Sequence, residues 1–290
     1  MIKELENIIK ENGYSIVNKI DRDVFGRYHG IVSNNSNDKF FIKAITGKET
    51  YEYKSLQSEI EITQYLYFVT KDGEVKVNNH RLHIPRIEKA LQKDNILCLI
   101  TDYICEDNLL DKSSNVQAET LLQTLELMKE LNKKVQLSQI KPHLKAYTRI
   151  FLLIDIPCKL VKASYLNPKL MGKFVLLAVK ALSIITQLSS KALVHADINA
   201  SNILFNDSII YLTDWEQAGI GIPEYNTIAP LSVHWTDEII RNALLNTIKN
   251  KNQIIPLLAY RTLVLFNQNI NGGDPRRIRD YELLDYVISH

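Results

Sequence analysis

Between residues 195 and 216 the chain reads His195-Ala-Asp197-Ile-Asn-Ala-Ser-Asn202, then two β-rich runs, then Asp214-Trp215-Glu216. The runs Asn202–Phe205 and Ile209–Thr213 are joined by Asn206-Asp-Ser, which predicts a hairpin. With the turn centred near Asp207 and Ser208, Asn202 falls opposite Thr213. Asn202 and Asp214 then emerge at the same open end, within roughly 5 to 8 Å of each other. An amide oxygen and a carboxylate held that way suit a hard cation, and magnesium takes few protein oxygens when phosphate oxygens complete its shell. Asp197 lies on the loop just before the hairpin, in reach of a substrate hydroxyl whose proton it accepts. Taken singly, each of these residues also fits a turn, cap or strand-end role.

The spacing His195-x-Asp197-x-x-x-x-Asn202 followed by Asp214-Trp215-Glu216 resembles the catalytic and metal-binding loops of aminoglycoside phosphotransferases, choline kinases and similar small-molecule kinases. The resemblance implies an α+β, two-lobed protein-kinase-like fold, with a small antiparallel-sheet N-lobe and a mainly helical C-lobe. It implies Asp197 as the catalytic aspartate, Asn202 and Asp214 as magnesium ligands, and His195 as a brace of the loop. The family usually carries Gly after the histidine and often Pro before the asparagine; Ala196 and Ser201 stand there.

In protein-kinase-like enzymes a lysine on the third strand contacts the phosphates and pairs with a glutamate of the next helix. Phe40-Phe-Ile-Lys43-Ala is that strand here, and its alternation points Phe41 and Lys43 to one face and Phe40 and Ile42 to the other. Glu59 is the expected partner, since Glu59 to Leu66 resembles the family's helix; Glu61 is the alternative, on a different face. The loop Asp21–Gly30 occupies the place of the phosphate-covering loop without matching G-x-G-x-x-G. Backbone groups of Asp102 and Ile104 are expected to read the adenine or guanine edge. The implied activity is transfer of the γ-phosphoryl group of ATP or GTP to a hydroxyl of a small molecule. An inactive kinase-like binding protein is the alternative. Glu216, Glu224, Trp235, Asp237 and Glu238 either line a pocket for a cationic acceptor or form a solvated helix start. Absence of His-Arg-Asp, Asp-Phe-Gly and Ala-Pro-Glu sequences argues against a protein substrate.

The elements that must position these residues follow from periodicity. A helix spans the N-terminus, with Ile2, Leu5, Ile8 and Ile9 in helical spacing. Strands are expected over Gly13–Ile20, His29–Ser33, Lys39–Ile45, Glu74–Val77 and Asn95–Tyr103, with one helix from about Lys48 to Val69. Residues 1–103 thus read as a self-contained nucleotide-binding lobe, and 104–290 as a helical catalytic and substrate lobe. Helices are expected over Leu121–Leu131, Lys145–Leu160 and Lys169–Leu188, broken by Pro142, Pro157 and Pro168. Two more are expected over Thr236–Phe266, broken near Pro256, and Tyr281–Ile288.

The 290 residues are 46% hydrophobic, enough for a large core, and carry Lys+Arg 35 against Asp+Glu 33. That balance offers no field to recruit nucleic acid. No run approaches the roughly 20 apolar residues of a membrane span, so no membrane partner is expected. Cys98, Cys105 and Cys158, odd in number and set among apolar residues, read as buried thiols of a cytoplasmic protein.

Overall fold

The computed structural model describes residues 2–18, 21–23, 26–140, 145–146, 149–187, 191–206, 208–248, 251–268 and 274–290. Six strands, Ser15–Ile16, Asp21–Arg22, Tyr28–Ser33, Lys39–Thr46, Ile87–Lys93 and Ile96–Asp102, form an antiparallel sheet. Alternation along Lys39–Thr46 decides what each face meets. Phe40, Ile42 and Ala44 pack with Leu5, Ile8 and Ile9 of the opening helix Ile2–Glu11. Ile45 packs with Leu56 and Ile60 of helix Tyr51–Thr70, and Lys43 reaches the same helix. The sheet is therefore held between two helices. Thr50 starts the second one, its Oγ1 accepting from the Tyr53 N–H at 3.2 Å.

A second sheet crosses the expected lobe boundary. Glu74–Val77 and His80–His83 join Ile209–Leu212, Ile203–Asn206 and Asp107–Asn108 in five strands, with His80–His83 parallel to Ile209–Leu212. Residues 1–103 are thus not self-contained: Val75 and Leu82 are buried in the large C-terminal core, whose apolar surface offers them more cover than the first sheet. Strands His80–His83 and Ile87–Lys93 carry no strand signal in the sequence. The first has one apolar residue, and the second is an edge strand that is nowhere fully buried.

Helices Ser114–Lys134, Arg149–Leu166, Met171–Leu182, Glu238–Thr247, Lys251–Phe266 and Pro275–Ser289 carry the expected apolar spacing into one core. Pro157 and Pro256 do not break their helices. Next to Pro256, Leu257 and Leu258 are almost fully buried, and that packing outweighs the lost backbone bond. The break instead precedes Lys251, after Thr247. Pro142 lies outside the described residues. Helix Tyr225–Val233 was not legible; Pro230 inside it masks the pattern. Cys98 is buried, and burial pushes its thiol up to about 12. Cys105 and Cys158, expected to be buried, are exposed: one sits in the connection after Asp102, the other on the outer side of helix Arg149–Leu166. Among the described residues, no helix is long and apolar enough to cross a membrane.

Candidate active site

The strand Ala192–Val194 delivers His195 into the core, where its side chain is fully buried. Its Nε2 donates to the Thr213 carbonyl at 2.9 Å, its backbone N–H donates to Asn226 Oδ1 at 2.9 Å, and its ring meets Trp215 at 4.6 Å. A carbonyl partner requires the proton on Nε2. Burial lowers its pKa against the pull of Asp197 and Asp214. Asn132 holds the same strand, accepting from the Leu193 N–H at 2.7 Å and donating to its carbonyl at 3.0 Å. Neither asparagine was legible, because each meets its partner across 30 or more residues of chain.

Ala196, where the resembled family usually has glycine, sits at φ +64° with its methyl buried. Left-handed backbone costs an L-residue about 1–2 kcal/mol, and the packed surroundings hold it. Ala196→Val adds a β-branched side chain at that φ in a full site, so the expected loss of unfolding free energy in urea is about 2 kcal/mol or more.

The loop then turns through Asn199, whose side chain accepts from the Ser201 N–H, and sets Asp197 beside Asn202. Asn202 Nδ2 donates to the Asp197 carbonyl at 2.9 Å and to its Oδ2 at 3.1 Å. Arg261 Nη2 of helix Lys251–Phe266 lies 3.7 Å from Asp197 Oδ1. The hairpin has the expected register, Ile203 opposite Leu212 through Asn206 opposite Ile209, and the Thr213 N–H donates to the Asn202 carbonyl at 3.0 Å. Asp207 itself lies outside the described residues.

Asp214 also takes left-handed backbone, φ +61°, which turns the chain into Trp215–Gln217. Trp215 is buried, its Nε1 donating to the Leu212 carbonyl at 2.9 Å. Lys43 Nζ donates to Glu59 Oε2 at 2.7 Å and to Asp214 Oδ1 at 2.8 Å. Glu59, not Glu61, supplies the partner carboxylate. Burial works against the charge of Lys43, but Glu59 and Asp214 outweigh it and hold the ammonium above its usual range. Burial likewise works to raise Asp214, and Lys43 and Arg27 hold it below the usual carboxylate range.

Glu216, offered by the sequence as an acceptor contact, instead accepts from Arg27 Nη1 at 2.5 Å. Arg27, whose Nε donates to Asp23 at 2.8 Å, comes from the expected phosphate-covering loop; residues 24–25 of that loop lie outside the described ones. Carboxylate oxygens of Glu59, Asp214 and Glu216 lie within 4.8 Å of one another. Three acids thus meet two cations, a cluster whose members come from four separate stretches of chain.

Lys43, Leu99, Asp102, Ile104, Leu204 and Asp214 are among the residues lining a cleft of about 270 Å³. One expectation needs correction there: the Asp102 N–H already donates to the Arg86 carbonyl at 3.1 Å, because the neighbouring strand begins on that side. Of the residues offered for a cationic acceptor pocket, Asp237 caps helix Glu238–Thr247 through the Ile240 N–H. Trp235 is buried against Tyr286 at 4.6 Å and Arg241 at 5.6 Å. They form a helix start.

No family model and no curated protein sequence matches the chain. Solved structures do. A thermostable mutant of aminoglycoside phosphotransferase APH(4)-Ia, in ternary complex with ADP and hygromycin B, superposes with a TM-score of 0.68 at 11% identity, over 99% of this chain and 97% of that one. The fold is that of the aminoglycoside phosphotransferases. A macrolide 2'-phosphotransferase type I matches at TM-score 0.61 and 12% identity, over 99% and 95% of the two chains. A spectinomycin phosphotransferase, APH(9)-Ia, in complex with ADP and spectinomycin, gives 0.56 and 12%, over 95% and 91%. An aminoglycoside phosphotransferase fold thus forms here on a sequence that shares about one residue in nine with the first of these structures.

Buried neutral histidines within this fold set its acid limit. Burial depresses His195 and His234 below their ordinary value. A base with a lowered folded-state pKa gives its full stability above the unfolded value, near 6.5, and loses it as pH falls toward the folded value. Each such histidine costs up to about 1.4 kcal/mol per pH unit in that window. Melting temperature should therefore fall between pH 7 and pH 5, and His234→Gln should flatten the fall.

Proposed function

We propose that the protein is an ATP-dependent small-molecule kinase that transfers the γ-phosphoryl group to a hydroxyl. The observation that carries this reading is Lys43 bridging Glu59 and Asp214, with Asp197 held by Asn202 at the end of the same hairpin that leads to Asp214. ATP is preferred to GTP because structures of this fold are complexes with ADP or AMP-PNP. We assign nucleotide binding to the first sheet and the 102–104 connection, and acceptor binding to the helical part beyond residue 104.

In this reading Lys43 binds phosphate oxygens, and the Asp102 carbonyl and Ile104 meet the base. The acceptor hydroxyl donates to Asp197. Its oxygen forms the new bond to the γ-phosphorus, its proton passes to Asp197, and the bond to the β–γ bridging oxygen breaks with its electron pair leaving on ADP. The donors around Asp214 fit magnesium, being all oxygen: the carboxylates of Asp214, Glu216 and Glu59, clustered within 4.8 Å, and the Asn202 amide. Bound at Asp214 and Asn202, the metal supplies charge neutralisation for the phosphates. ATP, magnesium and three free cysteines together fit a cytoplasmic setting.

The test is thermal stabilisation by ATP with and without magnesium. With ATP and magnesium at about 100 times Kd, the expected gain is about 2.7 kcal/mol, and chelation with EDTA should remove most of it. Equal stabilisation in both conditions contradicts the reading.

A further inference from the structure

Helices Arg149–Leu166 and Met171–Leu182 pack on each other and on helix Lys251–Phe266. Leu152, Ile156 and Ala163 of the first and Phe174, Leu177 and Ala181 of the second enter the C-terminal core. A surface helix ordinarily turns polar residues to its other side. These two do not. On the first, Ile150, Leu153, Ile154, Val161 and Tyr165 are exposed. Their spacing, i, i+3, i+4, i+11 and i+15, puts them on one stripe about 22 Å long. On the second, Met171, Val175, Val179 and Leu182 are exposed at i, i+4, i+8 and i+11. Both helices lean on the same third helix, so the sides turned away from it lie next to each other as one apolar face. Exposed apolar surface on that scale marks an interaction site.

The charge of the face selects its partner. Residues 149–182 hold six basic side chains, five of them lysine, and one acidic one, Asp155. That is a net +5 in a chain whose total is +2. Lys159 faces Asp155 at 3.7 Å, and Lys173 donates to Asp285 at 2.8 Å. Lys162, on the first helix, and Lys169, in the turn between the two, are exposed and pair with no acid among the described residues. A second copy of this chain would set like charge against like charge. Protein interfaces are enriched in aromatic residues and arginine and depleted in lysine, the reverse of this aliphatic and lysine-bearing surface.

We propose that the helix pair rests on a membrane surface that contains anionic lipid. The aliphatic stripes enter the boundary between headgroups and acyl chains, and Lys162 and Lys169 meet the lipid phosphates and carboxylates. The expectation of no membrane partner came from the want of a spanning segment, and a helix lying in the interface needs none. The inference is independent of the kinase reading of the cleft.

The experiment floats the full chain with vesicles of phosphatidylcholine alone and of phosphatidylcholine with about 30% phosphatidylserine. The chain is expected on the anionic vesicles, with a partition coefficient tenfold or more above that on the neutral ones, falling steeply in about 0.5 M salt. Lys162→Glu with Lys169→Glu should lower the partition twentyfold or more, each cation near the surface contributing about fivefold. Ile154→Ser with Val161→Ser should lower it about tenfold or more. Both double variants should melt within about 2 °C of the native chain, since the four side chains are exposed. Binding to neither vesicle overturns the inference, as does binding that both variants leave unchanged. A dimer in sedimentation velocity that the variants dissociate, without vesicle binding, assigns the face to a second copy. Capture of polyglutamate without vesicle binding assigns it to an acidic protein. Either of those results overturns the inference too.

Discussion

Asp197→Asn is expected to slow phosphoryl transfer about a thousandfold while the melting temperature moves by no more than about 2 °C. The side chain is 34% exposed, so little stability depends on its burial. Asparagine keeps its shape and one oxygen to accept from Asn202, which now donates to Oδ2 at 3.1 Å. What is lost is the negative charge that orients the acceptor hydroxyl and takes its proton, worth about 10² to 10⁴ in rate. ATP affinity, read by calorimetry, should stay within about threefold, since Asp197 lies across the hairpin end from Lys43. A variant that loses ATP binding and transfer together would place Asp197 in the nucleotide site instead.

Lys43→Met is expected to damage stability and activity at once. The ammonium lies between Glu59 and Asp214, and Glu59 is only 6% exposed. Removing one partner of a buried pair costs about 3–5 kcal/mol because the other charge is stranded. The cost depends on pH in a defined direction. Burial already raises the Glu59 carboxyl to about 7, against Lys43, which lowers it. An acid with a raised folded-state pKa destabilises the fold as pH climbs from its unfolded value, near 4.3, through the folded one. Without Lys43 that window extends upward, so the variant should be most compromised at pH 8 and least at pH 6 in urea unfolding. Adding Glu59→Gln should recover part of the loss at pH 8. Activity should fall by about 10² to 10³ or more, the usual effect of removing one positioned donor from a charged transition state. A variant as stable as the native chain at pH 8 would show that the buried pair contributes nothing net.

The features legible in the sequence were those set by local periodicity. The hairpin register between Asn202 and Thr213 followed from two β-runs and a short turn. That Phe41 and Lys43 share one face and Phe40 and Ile42 the other followed from alternation along a single strand. Glu59 and Glu61 could be separated as lying on different faces of one helix, but choosing between them took a family resemblance, since nothing local says which face the strand meets. Arg27, Asn132, Asn226 and Arg261 were not legible, because each acts across 30 or more residues of chain, Arg27 on Glu216 for example. The second sheet failed for the same reason: Glu74–Val77 looks like any short strand, and its partners lie beyond residue 200 or in a polar run with no strand signal. Trp235, an aromatic among acids that fits either a cation site or a solvated helix start, proves to be core.

The measurement that tests the central claim most directly is ADP release from ATP by the native chain and by Asp197→Asn, with magnesium, across acidic, neutral and cationic hydroxyl acceptors. The account predicts magnesium-dependent release that one acceptor class accelerates in the native chain, with phosphate found on the acceptor, and a rate about a thousandfold lower in the variant at equal ATP occupancy. Release at the same rate in both proteins, or none in the native chain with ATP bound, would contradict it.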